Sequence, residues 1–311
     1  MSIHDQEIQF ELRQNILLHD QTVRPLPGIG NQEYLLCLLE QLIESVHRVR
    51  FISAIKRRRI SPLRADPNSG LFHPLKAAII AESANDIDEA CWLVFLFVHF
   101  GKHKNGGWRY SREVYGRLGG NARWSWREVR ADVAGFRQWL DQNQATLKRP
   151  GAGFGNHRKY ESFGANNAAG TGSVVESYVD WVNSFGSHQR MFQTAREQTD
   201  GSRGAAFNFL YSSMKRVRRF GRLARFDYLA MLGKLELTPI EPDSAYLVEA
   251  TGPYAGAKLL FGEISDSIVA RRRLDALLAE LNGSLNVGFQ VLEDALCNWA
   301  KSPGRFEPFR S

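Results

Sequence analysis

QEYLLCLLEQLIESVHRVRFISAIKRRRI, residues 32–60, shows the pattern that decides the fold. Leu, Ile, Val and Phe recur in it at spacings of three and four residues, which places them on one side of an α-helix. Helical patterns cover most of the chain, including Pro74–Glu82, Ile87–Phe100 and Ser173–Phe185. No alternating strand pattern exceeds four residues, and we find no internal repeat. The sequence therefore predicts an all-α protein.

Size and composition are those of an ordinary globular protein. The 311 residues are 43% hydrophobic and 23% charged, which is enough to bury a full core. We expect a single helical catalytic domain over residues 1–311, built as one body or as two packed lobes with the glycine-rich segment 150–172 between them. The formal charge of +7 favours a polyanionic partner such as a nucleic acid.

Cysteine usage and hydropathy predict a cytoplasmic protein without a membrane anchor. The cysteines Cys37, Cys91 and Cys297 are far apart, so they indicate neither a zinc cluster nor a disulfide framework. The polar, acidic start MSIHDQE is unlike a signal peptide, and the most apolar run, 91–100, is too short to cross a bilayer. Walker A, GxGxxG, HExxH and GxSxG motifs are absent, so we predict no cofactor and no metal.

The stretch GNHRKYES, residues 155–162, is the first candidate site. It lies between two glycine-rich segments and combines an imidazole, two cations, a phenol and a carboxylate. Loops are where scaffolds place chemistry, so this group predicts contact with an anion and transfer of a proton. The predicted binding residues are Asn156, Arg158, Lys159 and Tyr160, and the predicted catalytic residues are His157 and Glu161. A solvated loop of mixed charge is the alternative.

The second candidate is the basic segment KRVRRFGRLAR, residues 215–225. We expect a helix over 204–235 with a kink near Gly221, which would place Lys215, Arg218, Arg222 and Arg225 on one stripe. A nucleic-acid backbone would neutralise such a stripe, and arginine fits phosphate well. A solvated basic face is the alternative. Asp227 follows closely, either as an ion-pair partner of these arginines or as a working carboxylate.

Two further segments could contribute to a basic cleft. Gly252 and Gly256 lie in a turn that opens into a helix, where backbone N–H groups can bind a phosphate. With the residues before it, this turn indicates a helix–hairpin–helix-like element near 240–262, or else a purely structural turn. Lys102 follows an apolar helix, beside His99, where it either complements the helix dipole or forms a lip of the cleft.

Taken together, several motifs of the chain resemble one bacterial family. They are DEACWLVFL at 88–96, HFGK at 99–102, WSW at 124–126, FGNHRKYES at 154–162, YVDWV at 178–182, RFDYL at 225–229 and ATGP at 250–253. This combination resembles the alpha-glutamyl/putrescinyl thymine pyrophosphorylase clade 3 family over about residues 45–265. That family is similar to anti-phage DNA glycosylases that remove glucosylated hydroxymethylcytosine. The resemblance implies a helical DNA-glycosylase-like architecture, with double-stranded phage DNA as the partner.

Glycosidic-bond cleavage has an oxocarbenium-like transition state, which a carboxylate stabilises. Asp227 and Glu161 are the preferred carboxylates because cations flank both in the sequence. We expect Asp180 to be the buried partner of an arginine, and Asp266 to be a weaker candidate. His157 or Lys159 would protonate the leaving base or hold a phosphate, and lyase activity through Lys159 stays open.

Two other functions remain open on the sequence alone. One is a non-catalytic module that binds or senses DNA. The other is a pyrophosphorylase or transferase that acts on hypermodified thymine in DNA.

Overall fold

The computed structural model describes residues 3–308, and within this range the fold is all-α, as predicted. Fourteen α-helices and five short 3₁₀ turns occur there, and no β-strand. The helices are α1 (Ile3–Thr22), α2 (Gln32–Lys56), α3 (Pro74–Ser83), α4 (Ile87–Phe100), α5 (Arg109–Tyr115), α6 (Trp126–Ala131), α7 (Val133–Leu147), α8 (Thr171–Asn183), α9 (His188–Glu197), α10 (Arg203–Ser213), α11 (Arg222–Lys234), α12 (Gly252–Phe261), α13 (Ile268–Leu285) and α14 (Phe289–Trp299).

The strongly periodic segments form the helices that their patterns predict. α2 covers most of the 32–60 stretch, and α3 and α4 match the predicted ranges within one residue. α4 begins after Asp86, whose carboxylate accepts a hydrogen bond from the backbone N–H of Glu89 at 3.1 Å. Such a cap satisfies one of the N–H groups that a helix start leaves without an intrahelical partner.

The chain divides into two compact units. One combines the N-terminal residues up to 55 with the C-terminal residues from 242 onward, and the other is residues 56–241. The glycine-rich segment 150–172 lies inside the second unit. In the first unit, α12 packs closely on α14. The absence of a side chain at Gly256 allows this, since a Cβ atom there would lie only 2.3 Å from the Leu296 carbonyl oxygen.

The second unit is built around α4. Every residue of this helix from 90 to 96 is buried, and the helix contacts α3, α5, α6, α9 and α11. Its aromatic side chains continue into a buried cluster in which Phe95 stacks on Tyr178, with 4.0 Å between ring centroids, and on Phe220, with 5.0 Å. Stacked and edge-on rings fill volume with defined geometry. α4 is therefore the central helix of this unit, and polar groups lie at both of its ends.

Candidate functional site

The loop 155–162 is attached to the carboxyl end of α4. The backbone N–H of Gly155 donates to the Phe100 carbonyl at 2.7 Å, one of the carbonyls that the helix end leaves without an intrahelical partner. A short 3₁₀ turn, Asn156–Arg158, follows directly. Gly155 also faces Gly101, where a Cβ atom on Gly155 would lie 2.9 Å from backbone atoms. Glycine therefore allows the loop to approach the end of α4 this closely.

Arg158 is buried in the structure, and its predicted role as a DNA contact stays a prediction. Only 8% of the residue is exposed, its Nε donates to the Val98 carbonyl at 3.0 Å, and its guanidinium lies 5.5 Å from the ring centroid of Phe220. Burial lowers the pKa of Arg158, while the negative charges of Asp227 and Glu161 act in the opposite direction. Arg158 thus fixes the loop to α4 instead of facing solvent.

Glu161 is paired with an arginine that the sequence reading did not select. Arg219 donates to both carboxylate oxygens of Glu161, from Nη2 at 3.1 Å and from Nε at 3.2 Å, and also to the Tyr160 carbonyl at 3.3 Å. Only 7% of the Glu161 side chain is exposed, against 37% of the Arg219 side chain. This bidentate geometry is the strong form of an arginine–carboxylate contact. It closes the loop onto segment 217–220.

Asp227 lies on α11, next to this cluster. It is half-buried, and its charge stabilises the protonated form of Arg158. The structure therefore brings Asp227 and Glu161, which are 66 positions apart in the sequence, to the same buried arginine. Both candidate carboxylates belong to one electrostatic cluster.

The exposed side of the loop is cationic and aromatic. Asn156, His157, Lys159 and Tyr160 are all exposed, and Tyr160 is 81% exposed. The Nζ of Lys159 lies 5.1 Å from the ring centroid of Tyr160. Lys102, also exposed, follows directly on the Gly101 backbone that the loop contacts. We call these five residues the loop rim.

The basic segment is not one helix, so the predicted stripe is wrong. α10 ends at Ser213, Arg219 has a left-handed φ of 60°, and α11 begins only after Gly221. Phe220 is 3% exposed within the aromatic cluster, and burying it takes the chain out of helical geometry. Lys215 and the arginines that follow it therefore do not lie on one face of a single helix.

The four cations of that segment separate into two pairs. Lys215 and Arg218 are exposed, whereas Arg222 is 8% and Arg225 only 3% exposed. Arg225 donates to the Tyr211 carbonyl at 3.2 Å and stacks over the Tyr211 ring. Both arginines are therefore part of the packing around α11, and their predicted contact with DNA stays a prediction.

The remaining candidates have structural settings of their own. Gly252 and Gly256 belong to the first unit, at the start of α12, where Gly256 is buried and Gly252 closely approaches Cys297. The close packing requires a small residue at both positions, and their predicted contact with a phosphate stays a prediction. Asp180 is exposed, contrary to our expectation of a buried partner. Asp266, in the first unit, accepts hydrogen bonds from Lys258 and Tyr254.

His99 is buried and is linked to the end of the loop through the Thr171 hydroxyl. It is 1% exposed, and its Nε2 lies 3.0 Å from the Thr171 hydroxyl. That hydroxyl donates to the Ser162 carbonyl at 2.8 Å, so it accepts from His99. Burial, reinforced by the charges of Arg158 and Arg219, lowers the pKa of His99 from 6.5 to about 3. His99 is therefore a neutral structural group.

The buried His99 predicts acid sensitivity. Between pH 6.5 and 3 the unfolded chain binds a proton that the folded ring excludes. The free energy of unfolding should therefore fall as the pH drops, by up to about 1.4 kcal/mol per pH unit for this one group. His99→Gln should reduce the slope of the free energy of unfolding against pH by the amount that corresponds to about one proton. Urea unfolding at a series of pH values measures this slope. His73, whose pKa burial lowers to about 4, is present in both proteins and cancels in the comparison. An unchanged slope in the variant would contradict the assignment.

Comparison with known proteins identifies the family. The profile of alpha-glutamyl/putrescinyl thymine pyrophosphorylase clade 3 matches residues 33–311, and the chain belongs to this family. The family name places it among enzymes that act on modified bases in DNA. No curated protein and no solved structure matches the chain.

Residues 3–308 show neither a membrane-spanning helix nor a cluster of metal ligands. No helix among them is long and apolar enough to cross a membrane. Within the same residues, no group of three or more His, Cys, Asp or Glu side chains is arranged to hold a metal ion.

Proposed function

We propose that the protein is a DNA N-glycosylase that removes a bulky modified base from phage DNA and leaves an abasic site. Glucosylated hydroxymethylcytosine is the base that we expect, and defence against phage is the expected role. The observation that carries the proposal is a loop that presents cations and an exposed ring on one side and, on the other, is held at a buried arginine whose charge two carboxylates stabilise. Membership in a family of enzymes that act on modified bases in DNA supports a modified base as the substrate.

The rim suits a DNA backbone. Lys102 and Lys159 are exposed cations on adjoining segments, and the chain has a formal charge of +7. Each phosphate contact releases a counterion, so such contacts supply affinity that depends strongly on salt. Tyr160 presents 81% of its surface to solvent, although a tyrosine ring is largely apolar. A ring in this position can stack on a base or enter a distorted step.

The chemistry requires a carboxylate near the sugar and a donor near the departing base. Asp227 and Glu161 are the carboxylates of the cluster, and the exposed imidazole of His157 is the donor. Glu161 already accepts two hydrogen bonds from Arg219 and would hold the rim, so Asp227 is this cluster's candidate for the catalytic carboxylate. A fixed carboxylate beside a developing cation lowers the barrier because no solvent has to reorganise.

The decisive experiment incubates the purified protein with phage DNA that carries glucosylated hydroxymethylcytosine. Alkali should then cleave the treated strand at the modified positions, whereas unmodified DNA of the same sequence should stay intact. Breaks that appear before alkali would add lyase activity. Intact strands after alkali on every modified phage DNA would reject the glycosylase.

The same assay separates the two alternatives. A DNA-binding module without activity would bind modified DNA and leave no alkali-labile site. A pyrophosphorylase, the activity in the family name, would show turnover that depends on added pyrophosphate.

Salt dependence of binding tests the rim by itself. Lys159→Ala should weaken binding to all DNA sequences alike and lower the slope of log affinity against log salt by about one. Lys148→Ala is the matched control, because Lys148 is also exposed but lies at the end of α7, outside the rim. Fluorescence anisotropy at several salt concentrations measures both. Equal slopes for the two variants would place the DNA elsewhere.

A further inference from the structure

A cavity of about 740 Å³ lies at the amino end of α4, the end opposite the loop rim. Its lining combines acidic, basic and aromatic side chains: Asp86, Asp88, Glu89, Tyr115, Arg123 and Trp126, with Arg127 and Arg130. The volume is in the range of sites that enclose one small organic molecule. None of the sequence motifs that predicted the loop rim pointed to this cavity as a site.

Asp88 is held in one orientation at the wall. Its Oδ1 accepts two hydrogen bonds from His188, from the ring Nδ1 at 2.6 Å and from the backbone N–H at 3.1 Å. Within residues 3–308 no donor to Oδ2 is seen, and 32% of the side chain is exposed. The hydrogen bond from His188 lowers the pKa of Asp88, so the group is a carboxylate at neutral pH. One oxygen is thus fixed by the protein and the other is available to a ligand.

A buried chain of hydrogen bonds orients His188. The ring is fully buried, and its Nε2 lies 2.7 Å from the Tyr178 hydroxyl, which lies 2.8 Å from the Tyr228 hydroxyl. Burial lowers the pKa of His188, so the ring is neutral and its one N–H points to Asp88. The Nε2 must then accept from Tyr178, which in turn accepts from Tyr228. Every donor in the chain points towards Asp88.

Glu89, which also lines the cavity, has both carboxylate oxygens engaged by the protein. Its two oxygens accept from the Tyr115 hydroxyl at 2.7 Å and from the backbone N–H of Trp126 at 2.6 Å. Burial raises the pKa of Glu89. The Trp126 ring packs edge-on against His188, with 4.7 Å between centroids. Its buried indole N–H has no hydrogen-bond partner in the described part of the chain.

The basic residues of the lining differ in how they are engaged. Arg130 donates to Asn183 and to the Gly186 carbonyl, so it is part of the scaffold. Arg123 and Arg127 are exposed. Arg123 also lies 3.8 Å from the Asp66 carboxylate, and the exposed Asp86 lines the same cavity. The cavity therefore offers cations in contact with solvent and, at its wall, the Asp88 oxygen that His188 leaves open. This arrangement is complementary to a nucleotide, whose phosphates stay outside while the sugar and base enter.

We propose that this cavity receives the nucleotide extruded from DNA, and that Asp88 is the carboxylate that faces its sugar. This inference rests on the proposed glycosylase function and moves the reacting carboxylate from Asp227 to Asp88. α4 has 14 residues, so the rim and the cavity are separated by about 20 Å, roughly six base pairs of duplex. The rim would then bind the backbone at a distance from the reacting nucleotide.

The step is a hydrolysis. The C1′–N bond breaks, and its electron pair leaves with the base nitrogen. Water adds its oxygen to C1′ while one water proton passes to Oδ2 of Asp88. The departing nitrogen takes a proton from solvent, and Asp88 later returns its proton to solvent. His188 keeps its N–H on Oδ1 throughout, which makes it a positioning residue.

The test measures single-turnover base release with Asp88→Asn, a substitution that keeps the shape of the side chain. We expect the rate to fall by at least about 100-fold while DNA affinity changes little. Glu176→Gln is the control, since Glu176 pairs with Arg137 away from both sites, and it should react at the normal rate. A rate for Asp88→Asn within about threefold of wild type, with the loss seen instead in Asp227→Asn, would overturn the inference.

Extrusion can be followed without cleavage. With 2-aminopurine placed beside the modified base, binding should raise fluorescence, and Ala131→Trp, which fills the exposed edge of the lining, should remove that rise while DNA binding persists. If wild-type protein raises the fluorescence but releases no base, the glycosylase fails and the nucleotide cavity stands. A fluorescence rise that survives Ala131→Trp would reject the cavity.

Discussion

Arg219→Ala should lower the free energy of unfolding by about 2 kcal/mol and weaken DNA binding by about tenfold. The substitution removes both hydrogen bonds to the Glu161 carboxylate, whose side chain is only 7% exposed, and the bond to the Tyr160 carbonyl. A carboxylate left largely buried without its partner is the main cost. We place the value below that for a fully buried pair because 37% of the Arg219 side chain is exposed.

Arg219→Ala would weaken DNA binding by disordering the loop, not by removing a contact between this cation and DNA. Arg219 holds the backbone that carries Tyr160, so removing it should let the rim sample other positions. Binding then requires the loop to be ordered again, which weakens the complex without any contact between Arg219 and DNA. The affinity should therefore fall while the slope of log affinity against log salt changes little, because no phosphate contact is lost.

Arg218→Ala is the matched control for this variant. Both substitutions remove one positive charge from neighbouring positions, but Arg218 is exposed, and its backbone N–H donates to the Ser177 hydroxyl at 2.9 Å. Thermal unfolding should show a decrease of roughly 4–8 °C for Arg219→Ala and a much smaller one for Arg218→Ala. Equal melting temperatures would mean that the pair with Glu161 does not hold the loop.

Sequence patterns predicted the helices that local rules determine. α3 and α4 were predictable because apolar spacing, proline positions and the Asp86 cap all agree within a short segment. The same spacing rule failed at 215–225, where the cations recur at helical intervals but the chain leaves helical geometry between residues 217 and 221. There, burial of Phe220 in a cluster formed by distant residues outweighs local preference.

The sequence predicted which residues belong to the candidate site, but not which of them are buried, exposed or paired. The sequence marked the loop as chemically dense, yet it could not show that Arg158 turns inward to the Val98 carbonyl while its neighbour Lys159 stays exposed. Arg219 was passed over because it did not fit the assumed stripe. The pairing of Asp88 with His188 spans 100 positions, and no spacing rule links residues so far apart.

Gly155→Ala is the second large effect that we expect. A Cβ atom at this position would lie 2.9 Å from backbone atoms of Gly101 and Lys102, a distance at which one of the two backbones must move. Because the neighbours are backbone atoms, no rotamer change can relieve the contact. We expect a loss of about 1–3 kcal/mol in the free energy of unfolding, as for other overpacked sites. The hydrogen bond from Gly155 to Phe100 would lengthen with it.

Displacement of Gly155 should also reduce DNA binding by the rim, in addition to destabilising the second unit. The loop residues that follow depend on this attachment for their position, so DNA affinity should fall although no contacting side chain is changed. Gly70→Ala is the control, because a Cβ atom there meets nothing within 4 Å. Urea unfolding and anisotropy on the same two variants decide the matter. Normal DNA binding by a destabilised Gly155→Ala would show that the rim does not depend on this attachment, and the DNA contacts would then have to be sought elsewhere on the unit.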